Sequence, residues 1–315
     1  MSDENPNFPQ IKEGQEQRNR IEKSQTNPEI YFLLMFYSGE SIERDDEITI
    51  IELLDKIKLT NETKPHIILA LDSTGGIIYP ACKIIDIIRT KCSKLTIVVP
   101  YWAKSAATLM CLGADEIVMG AQSELGPLDM PFEHPHLEGQ RISAYDVLKA
   151  LEYLQNLAIQ KMIDDIGVKI RNKAGLSRKE SVEIASKMAV DLVAPILGKE
   201  DPRIIHKCFR MLLISQRYGI EFLRKYMLKD APDFIKMKIK DIIYELVWEY
   251  PDHGFAIRRE EAAKRLYLNI IKAEDFNRWN DLWVSYLHFK PKGEKIIKLF
   301  SEEEFNNFVS HLKKK

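Results

Sequence analysis

A serine among small residues is the feature of this chain most suited to covalent chemistry. Ser105 lies in the run Ala103-Lys104-Ser105-Ala106-Ala107-Thr108, between a predicted strand and a predicted short helix. A serine hydroxyl is a poor nucleophile at neutral pH, so it needs a base and preorganised donors for the anion on the attacked carbonyl. The N-terminus of a helix favours nearby negative charge. The residues alone therefore allow two interpretations of Ser105, an exposed nucleophile or a simple helix cap.

A glycine turn precedes this serine by about 30 residues. The turn Asp72-Ser73-Thr74-Gly75-Gly76 follows an apolar run, Ile67 to Leu71, and it contains neither GxGxxG nor a Walker lysine-serine pair. We therefore favour a tight turn over a nucleotide site, with a further role in oxyanion binding or in pairing an extended peptide. Because a helix separates the two predicted strands, the pattern is βαβ, and it places the turn and Ser105 at the same edge of a parallel sheet.

The elements around this unit follow from hydrophobic periodicity. The run Ile30 to Tyr37 is continuously apolar, which is typical of a strand covered on both faces. A helix is expected from Asp45 or Asp46, with Ile48, Ile51, Leu54 and Ile57 on its buried face. Further strands are predicted at 95–99 and 116–119, and a loop at 123–131. A further helix is predicted after Gly76, where Ala81, Ile84, Ile85 and Ile88 repeat at helical spacing. Others are predicted at 105–112, 143–166 with Ser143 as N-cap, 177–188, 203–218, 220–228, 235–250 and 260–268.

Changes in composition divide the chain into three parts. Residues 1–27 are polar and nearly free of aromatic side chains, which is typical of a disordered arm. Residues 28–200 contain the strand patterns. Pro195, Gly198 and Pro202 mark a boundary, and residues 201–315 are mainly helical, with an aromatic-rich tail. We therefore expect an α/β domain at 28–200 and a helical C-terminal domain at 201–315.

The bulk properties exclude several classes of protein. The net charge is -1, from 46 basic and 47 acidic residues, which gives no reason to expect general nucleic-acid or anionic-membrane binding. No apolar run approaches the roughly 20 residues of a membrane helix. The four cysteines form no CxxC pair and lie in apolar surroundings, so we expect reduced thiols in a soluble, cytoplasmic protein. No cofactor is indicated.

Four blocks in fixed order resemble one protein family. They are LDSTGG (71–76), VVPYWAKSAATL (98–109), GADEIVMG (113–120) and SELGPLD (123–129), and later YPDHGF (250–255) and REEA (259–262) add to them. Together they look like the serine dehydrogenase proteinase family, which is similar to signal peptide peptidase A and, more distantly, to the Clp protease proteolytic subunit. The resemblance implies the α/β Clp/crotonase fold, a repeated ββα core, here with a mainly helical C-terminal domain. It also implies a homo-oligomer that encloses its site.

The resemblance assigns roles to several residues. Ser105 matches the nucleophile, and the resemblance implies that Gly75 or Gly76, together with the N–H of Ala106, supplies the oxyanion donors. Signal peptide peptidase A uses a serine-lysine dyad, so Lys104, Lys149 and Lys161 are candidate bases. Lys104 directly precedes Ser105, and neighbouring side chains usually point apart.

Histidines offer the other route to a base. The Clp subunit uses histidine and aspartate, but the matching loop here reads Leu128-Asp129-Met130-Pro131 and has no histidine at that place. His134 is a candidate that follows closely. His136 makes a His-x-His pair with it, but no third metal ligand stands at diagnostic spacing, so no metal site is expected. Asp129 could orient a base, bind substrate or cap a loop. His253 is interpreted as part of a structural turn.

The sequence therefore predicts a serine peptidase with an unassigned base, acting on extended or unfolded polypeptide through an acyl-enzyme. Two alternatives remain open. One is a catalytically silent oligomeric scaffold that binds a partner protein through its C-terminal helical domain. The other is an acyl-CoA enzyme of the crotonase type, since that chemistry shares the fold and the oxyanion hole.

Overall fold

The first apolar stretch of the chain forms a strand that is covered on both faces. The structure, a computed structural model, describes residues 28–57, 63–129, 131–133, 141–290 and 293–314. In the first strand, Ile30–Tyr37, side chains alternate between two cores. Leu33, Met35 and Tyr37 enter one core, and Phe32, Leu34 and Phe36 enter the other. The prediction of a doubly covered strand is confirmed.

Eleven strands are present in the described ranges. They are β1 (Ile30–Tyr37), β2 (His66–Asp72), β3 (Lys94–Val99), β4 (Trp102–Ala103), β5 (Glu116–Met119), β6 (Glu124–Leu125), β7 (Pro131–Glu133), β8 (Arg141–Ser143), β9 (Ile257–Arg258), β10 (Ile270–Lys272) and β11 (Lys295–Ser301).

The central sheet has the order β10-β5-β3-β2-β1-β11. All neighbours in it are parallel except β1 and β11, which are antiparallel. A second, small sheet has the order β4-β6-β9, and β7 pairs with β8. The parallel ladder confirms the α/β class, and it places the ends of β2 and β3 at one edge, where functional loops of such sheets lie.

Helices cover both faces of this sheet. They are α1 (Arg44–Leu54), α2 (Ile78–Lys91), α3 (Ala106–Leu112), α4 (Ala144–Asn156), α5 (Gly167–Ala174), α6 (Arg178–Leu197), α7 (Pro202–Phe222), α8 (Asp233–Trp248), α9 (Arg259–Lys264), α10 (Trp279–Phe289) and α11 (Glu302–Lys313). Helices α1, α2, α3, α7 and α8 bury side chains in the larger core, and α10 and α11 in the smaller one.

The long helical patterns are mostly confirmed, with different ends. The predicted helix 143–166 runs as α4 and continues as a π-helix, Leu157–Ile166, and Ser143 caps it by accepting a hydrogen bond from Asp146 N at 2.8 Å. The helix predicted at 177–188 extends to Leu197 and includes Pro195. The helices predicted at 203–218 and 220–228 are continuous, because α7 runs directly into a π-helical turn, Leu223–Met227.

The face predicted for α1 is confirmed in part. Leu54 and, just beyond the helix, Ile57 are buried as predicted, but Ile48 and Ile51 are 59% and 40% exposed, and Asp46 and Ile50 are buried instead. The carboxylate of Asp46 sets this rotation of the helix. It accepts a hydrogen bond from the Tyr37 hydroxyl at 3.0 Å and lies 2.7 Å from Lys295 Nζ. Periodicity of apolar residues could not reveal a buried aspartate as the anchor of the helix.

The C-terminal part of the chain also contributes to the sheet. Strands β10 and β11, from residues beyond 200, form its two edges. The aromatic tail supplies α10 and α11, where Phe305 stacks on Phe32 of β1 with ring centroids 4.1 Å apart. The division into domains at residues 27 and 200 stays a prediction, and residues 1–27 lie outside the described ranges.

We expect Asp46→Ala to lower the free energy of unfolding by about 3 kcal/mol, because it leaves the buried Tyr37 hydroxyl without its acceptor and the Lys295 ammonium without its carboxylate. Urea unfolding measures the change. Asp45→Ala is the matched control, since Asp45 lies exposed in the same first turn and should cost only about 0.5 kcal/mol through the helix dipole. Equal losses in the two variants would contradict the anchoring role of Asp46.

Candidate active site

Ser105 lies at a sharp turn between β4 and α3. Its backbone has φ 53° and ψ -118°, and it is one of two non-glycine residues with positive φ in the described ranges, the other being Tyr267. Such a conformation costs free energy and is found where a nucleophile is presented between a strand and a helix. The Thr108 hydroxyl fixes the turn by donating to the carbonyl of Ala103 at 2.6 Å. The side chain of Ser105 is fully buried in the single chain.

The glycine turn packs directly against this serine. Gly75 has φ 108°, and a Cβ on it would lie 2.8 Å from Ser105 Cβ and 2.9 Å from the carbonyl oxygen of Lys104. Gly76 has φ 156°, and a Cβ there would overlap the backbone of Ile42. Both positions therefore require glycine, for its backbone freedom and for the close approach of other chain segments.

The hydrogen bonds of the turn distinguish its two glycines. The N–H of Gly75 donates to Ser73 Oγ at 3.0 Å, so it is used inside the turn. The bridge between Ile42 and Gly76 uses the N–H groups of Ile42 and Ile77, and not that of Gly76. The N–H of Ala106 is at the start of α3, where helix N–H groups have no partner within the helix. Gly76 N–H and Ala106 N–H are thus the better pair of candidate oxyanion donors.

Three hydrogen bonds join the turn to the segment before Ser105. Trp102 N donates to Asp72 Oδ1 at 3.2 Å, and Ser73 N donates to the Trp102 carbonyl at 3.1 Å. Lys104 N donates to the Ser73 carbonyl at 3.0 Å. This short parallel bridge fixes the position of the turn relative to the serine.

A buried carboxylate faces a histidine from the C-terminal part of the chain. Asp129 is 1% exposed and accepts hydrogen bonds from Ser143 Oγ at 2.5 Å and from Tyr145 N at 3.1 Å. Its Oδ2 lies 3.4 Å from Nδ1 of His253. That nitrogen is buried, and no described residue meets it in hydrogen-bond geometry, so Asp129 is the acid that it faces. Catalytic hydrogen bonds are often long before substrate binds.

The sequence interpretation missed the association of His253 with Asp129. It placed His253 in a structural turn, because 124 residues separate the two in the chain. A signal was present: the histidine stands between turn formers, in the run Pro251-Asp252-His253-Gly254-Phe255. Loops held by a rigid scaffold are where catalytic residues concentrate.

The lysine candidates lie in different surroundings. Lys104 is buried, and its Nζ contacts the carbonyl oxygens of Leu125, Gly254 and Phe255. Burial lowers the pKa of Lys104, while the neighbouring carboxylate of Glu124 acts in the opposite direction. Its ammonium is thus held by acceptors on a neighbouring loop.

Lys149 and Lys161 lie on solvent-exposed helix surfaces. Lys149 Nζ pairs with Glu152 at 2.9 Å, and this hydrogen bond raises the pKa of Lys149. Lys161 pairs with Asp165 at 3.5 Å on the π-helical segment. A lysine base must be desolvated to be neutral at working pH, and neither environment provides that. The predicted base candidate His134 lies outside the described residues, as does His136.

Other chemistry has no visible site in the described part of the chain. It contains no group of three or more His, Cys, Asp or Glu side chains arranged for a metal. All four cysteines are buried and unpaired, and burial raises the pKa of Cys92 to about 11. None of the described helices combines the length and apolar character needed to cross a bilayer.

Comparison with known proteins decides the family. The family model of ClpP-like SDH-type serine proteinases matches residues 32–223, which is more than half of the chain. The chain belongs to this family. The match includes the glycine turn, Ser105 and Asp129, and it ends before His253.

The individual proteins that this chain is similar to match it over shorter stretches than the family model does. An uncharacterised protein of Methanocaldococcus jannaschii, MJ1495, is 28% identical over 146 residues, which cover 44% of this chain and 48% of that protein. A second one, MJ0137, is 33% identical over 78 residues, 25% of this chain and 27% of that protein. This chain thus spans about half of one relative and about a quarter of the other. A variant of the membrane-bound stomatin-specific protease 1510-N aligns at 17% identity and a TM-score of 0.29, over 47% of this chain and 66% of that one.

The carboxyl of Asp72, in the glycine turn, makes the stability of the protein depend on pH. Burial raises the pKa of this carboxyl to about 6, against the opposing effects of the Trp102 N–H and the Lys290 ammonium. The folded state therefore holds the proton more tightly than the unfolded chain, whose aspartate has its ordinary value of 3.8. This contribution to stability is complete below about pH 4 and is lost as pH rises towards 6.

We expect Asp72→Asn to stabilise the protein relative to wild type at pH 7.5, by up to about 3 kcal/mol, and to have little effect at pH 4. The asparagine keeps an oxygen that can accept from Trp102 N. Urea unfolding at several pH values measures the difference. Asp55→Asn, at an exposed aspartate, is the control measured at the same pH values. A difference that is constant from pH 4 to 7.5 would contradict the assignment.

Proposed function

We propose that this family member is a serine peptidase in which Ser105 is the nucleophile, His253 the general base and Asp129 the residue that orients the histidine. The observation that carries the proposal is the pairing of buried Asp129 with His253 at 3.4 Å, in a loop held by the residue that precedes Ser105. The family membership supports peptidase chemistry. His253 thereby becomes the candidate for the base that the sequence left unassigned.

Acylation would use these groups in order. His253 accepts the proton of the Ser105 hydroxyl as Oγ attacks the scissile carbonyl carbon. The N–H groups of Gly76 and Ala106 donate to the resulting oxyanion. The imidazolium then gives its proton to the leaving amine, the C–N bond breaks, and an ester to Ser105 remains. Asp129 beside Nδ1 favours the tautomer whose Nε2 can accept a proton.

Deacylation would repeat the sequence with water. His253 removes a proton from the water that attacks the ester, and the same two N–H groups stabilise the second oxyanion. Ser105 regains its proton from the imidazolium as the acid product leaves. Because Ser105 is fully buried in the single chain, the proposal requires a covering segment to move before substrate reaches the hydroxyl.

The substrate and the assembly are part of the proposal. A turn with two glycines leaves room for the main chain of an extended polypeptide, more than for a bulky, compact substrate. The polypeptide would form hydrogen bonds with the turn by strand addition. ClpP-like proteases commonly act on polypeptides as oligomers. Exposed apolar side chains on α6 support an assembly of this chain, among them Val190 (62% exposed) and Leu192 (45%). We propose that the peptidase is a homo-oligomer that works in the cytoplasm.

Labelling by a fluorophosphonate probe tests this function. We expect wild type to be modified at Ser105, as located by mass spectrometry, and Ser105→Ala not to be labelled. His253→Ala should lower the labelling rate by about a hundredfold or more, because general base catalysis typically contributes that much. Added imidazole should restore part of the rate. His311→Ala, a change in the last turn of α11, is the matched control and should label as wild type.

The same experiment can contradict the proposal. Normal labelling of His253→Ala, with loss in Lys149→Met, would assign the base to a lysine. No labelling of a sample shown by light scattering to be assembled, and by circular dichroism to be folded, would favour the scaffold function. In that case partner binding through the C-terminal helices would be unchanged in Ser105→Ala. Turnover of acyl-CoA would instead point to crotonase-type chemistry.

A further inference from the structure

The side chain next to the nucleophile reaches the loop that carries the histidine. Lys104 Nζ lies 3.1 Å from the carbonyl oxygen of Phe255 and 3.5 Å from that of Gly254. The carbonyl of Leu125 is 3.3 Å away, and Glu124 Oε1 is 3.4 Å away. One ammonium thus connects the segment of Ser105 with residues about 150 positions later in the chain.

The surroundings of Lys104 are suited to holding a charged ammonium. An ammonium has three N–H donors and no acceptor, and here it meets three carbonyl oxygens and one carboxylate. The stem packs over Gly126, where a Cβ would lie 3.3 Å from Lys104 Cα and would overlap Cδ. Gly126 is therefore required for the lysine side chain to cross the loop. Lys104 itself is only 8% exposed.

The loop has other contacts besides this lysine: His253 Nδ1 faces Asp129, Gly254 N donates to Asp252 Oδ1 at 2.6 Å, and the Phe255 ring packs against Tyr250. On its C-terminal side, Ile257 and Arg258 of β9 pair with Leu125 and Glu124 of β6. On its N-terminal side, α8 ends at Trp248, and the Tyr145 hydroxyl donates to the Trp248 carbonyl at 3.3 Å. The carbonyls that Lys104 holds are those of the two residues directly after His253.

We propose that Lys104 is a positioning residue, whose ammonium holds the carbonyls of Gly254 and Phe255 and thereby keeps the His253 ring at Ser105. The inference rests on the proposed role of His253 as base. It gives Lys104 a role different from that of the base considered in the sequence: Nζ donates to the two backbone carbonyls and acts through another residue. Removing it should free the loop without removing any reacting group.

A double-mutant cycle on the labelling rate tests the proposal. We expect Lys104→Met to lower the rate of fluorophosphonate labelling by 10- to 100-fold when His253 is present. In the His253→Ala background the same change should have no further effect, because there is no base left to position. Lys94→Met is the matched control, since Lys94 loses an ion pair with Glu116 at the opposite end of β3 and should label as wild type.

Hydrogen exchange supplies a readout besides activity. Amides of residues 250–256 should exchange faster in Lys104→Met, while those of the central strands should not change. Should Lys104→Met fail to fold, Glu124→Gln removes the carboxylate partner of the ammonium and keeps the lysine, and it should produce the same effects in a weaker form.

Three results would overturn the inference. Unchanged labelling and exchange in a folded Lys104→Met would remove the positioning role while leaving the proposed base intact. A loss of rate that is the same with and without His253 would show that Lys104 acts on Ser105 directly. Unchanged labelling in His253→Ala would refute the proposed function itself, and the positioning role would fall with it.

Discussion

The close approach of Gly75 to Ser105 is the constraint on which the site depends. The two backbones come so near that a single Cβ on Gly75 would lie 2.8 Å from Ser105 Cβ. Ser105 itself adopts a strained backbone conformation there, with φ 53°. The parallel bridge from Ser73 to Ala103 and the hydroxyl of Thr108 hold both segments in place. The arrangement brings the glycine turn and the first residue of α3 close to one serine.

The C-terminal part of the chain completes what the βαβ unit begins. Strands β10 and β11 supply the edges of the central sheet, and α10 and α11 cover its second face. The loop after α8 brings His253 to Asp129, and β9 pairs with β6 beside the serine turn. The proposed peptidase site therefore depends on residues from both halves of the chain. Loss of the C-terminal part would expose the apolar side chains Phe32, Leu34 and Phe36 as well as remove the proposed base.

Much of the fold could be predicted because it is encoded locally. The apolar runs of β1, β2, β3 and β5 and the cap at Ser143 are short-range signals. The burial of Asp46 in α1 could not be predicted, since this residue is held by a polar contact with Lys295, far away in sequence. The edge strands β10 and β11 were not predicted either, because their partners in the sheet are distant in the chain.

The site was predictable to a similar degree. Ser105, the glycine turn and Asp129 stand in contiguous blocks, so the sequence singled them out as candidates. The contact of His253 with Asp129 was not predicted because the two residues are far apart in the chain. Lys104 was judged by its neighbour Ser105, whereas the structure shows a side chain that turns to the carbonyls of another loop. Tertiary contacts decide these assignments, and no local pattern records them.

The most direct measurement of the central claim is a crystal structure of the protein phosphonylated at Ser105. The account predicts that His253 Nε2 lies within about 3 Å of Ser105 Oγ. It also predicts that the phosphonyl oxygen accepts hydrogen bonds of about 2.7 to 3.1 Å from the N–H groups of Gly76 and Ala106. A lysine amine at Ser105, with His253 turned away from it, would contradict the account.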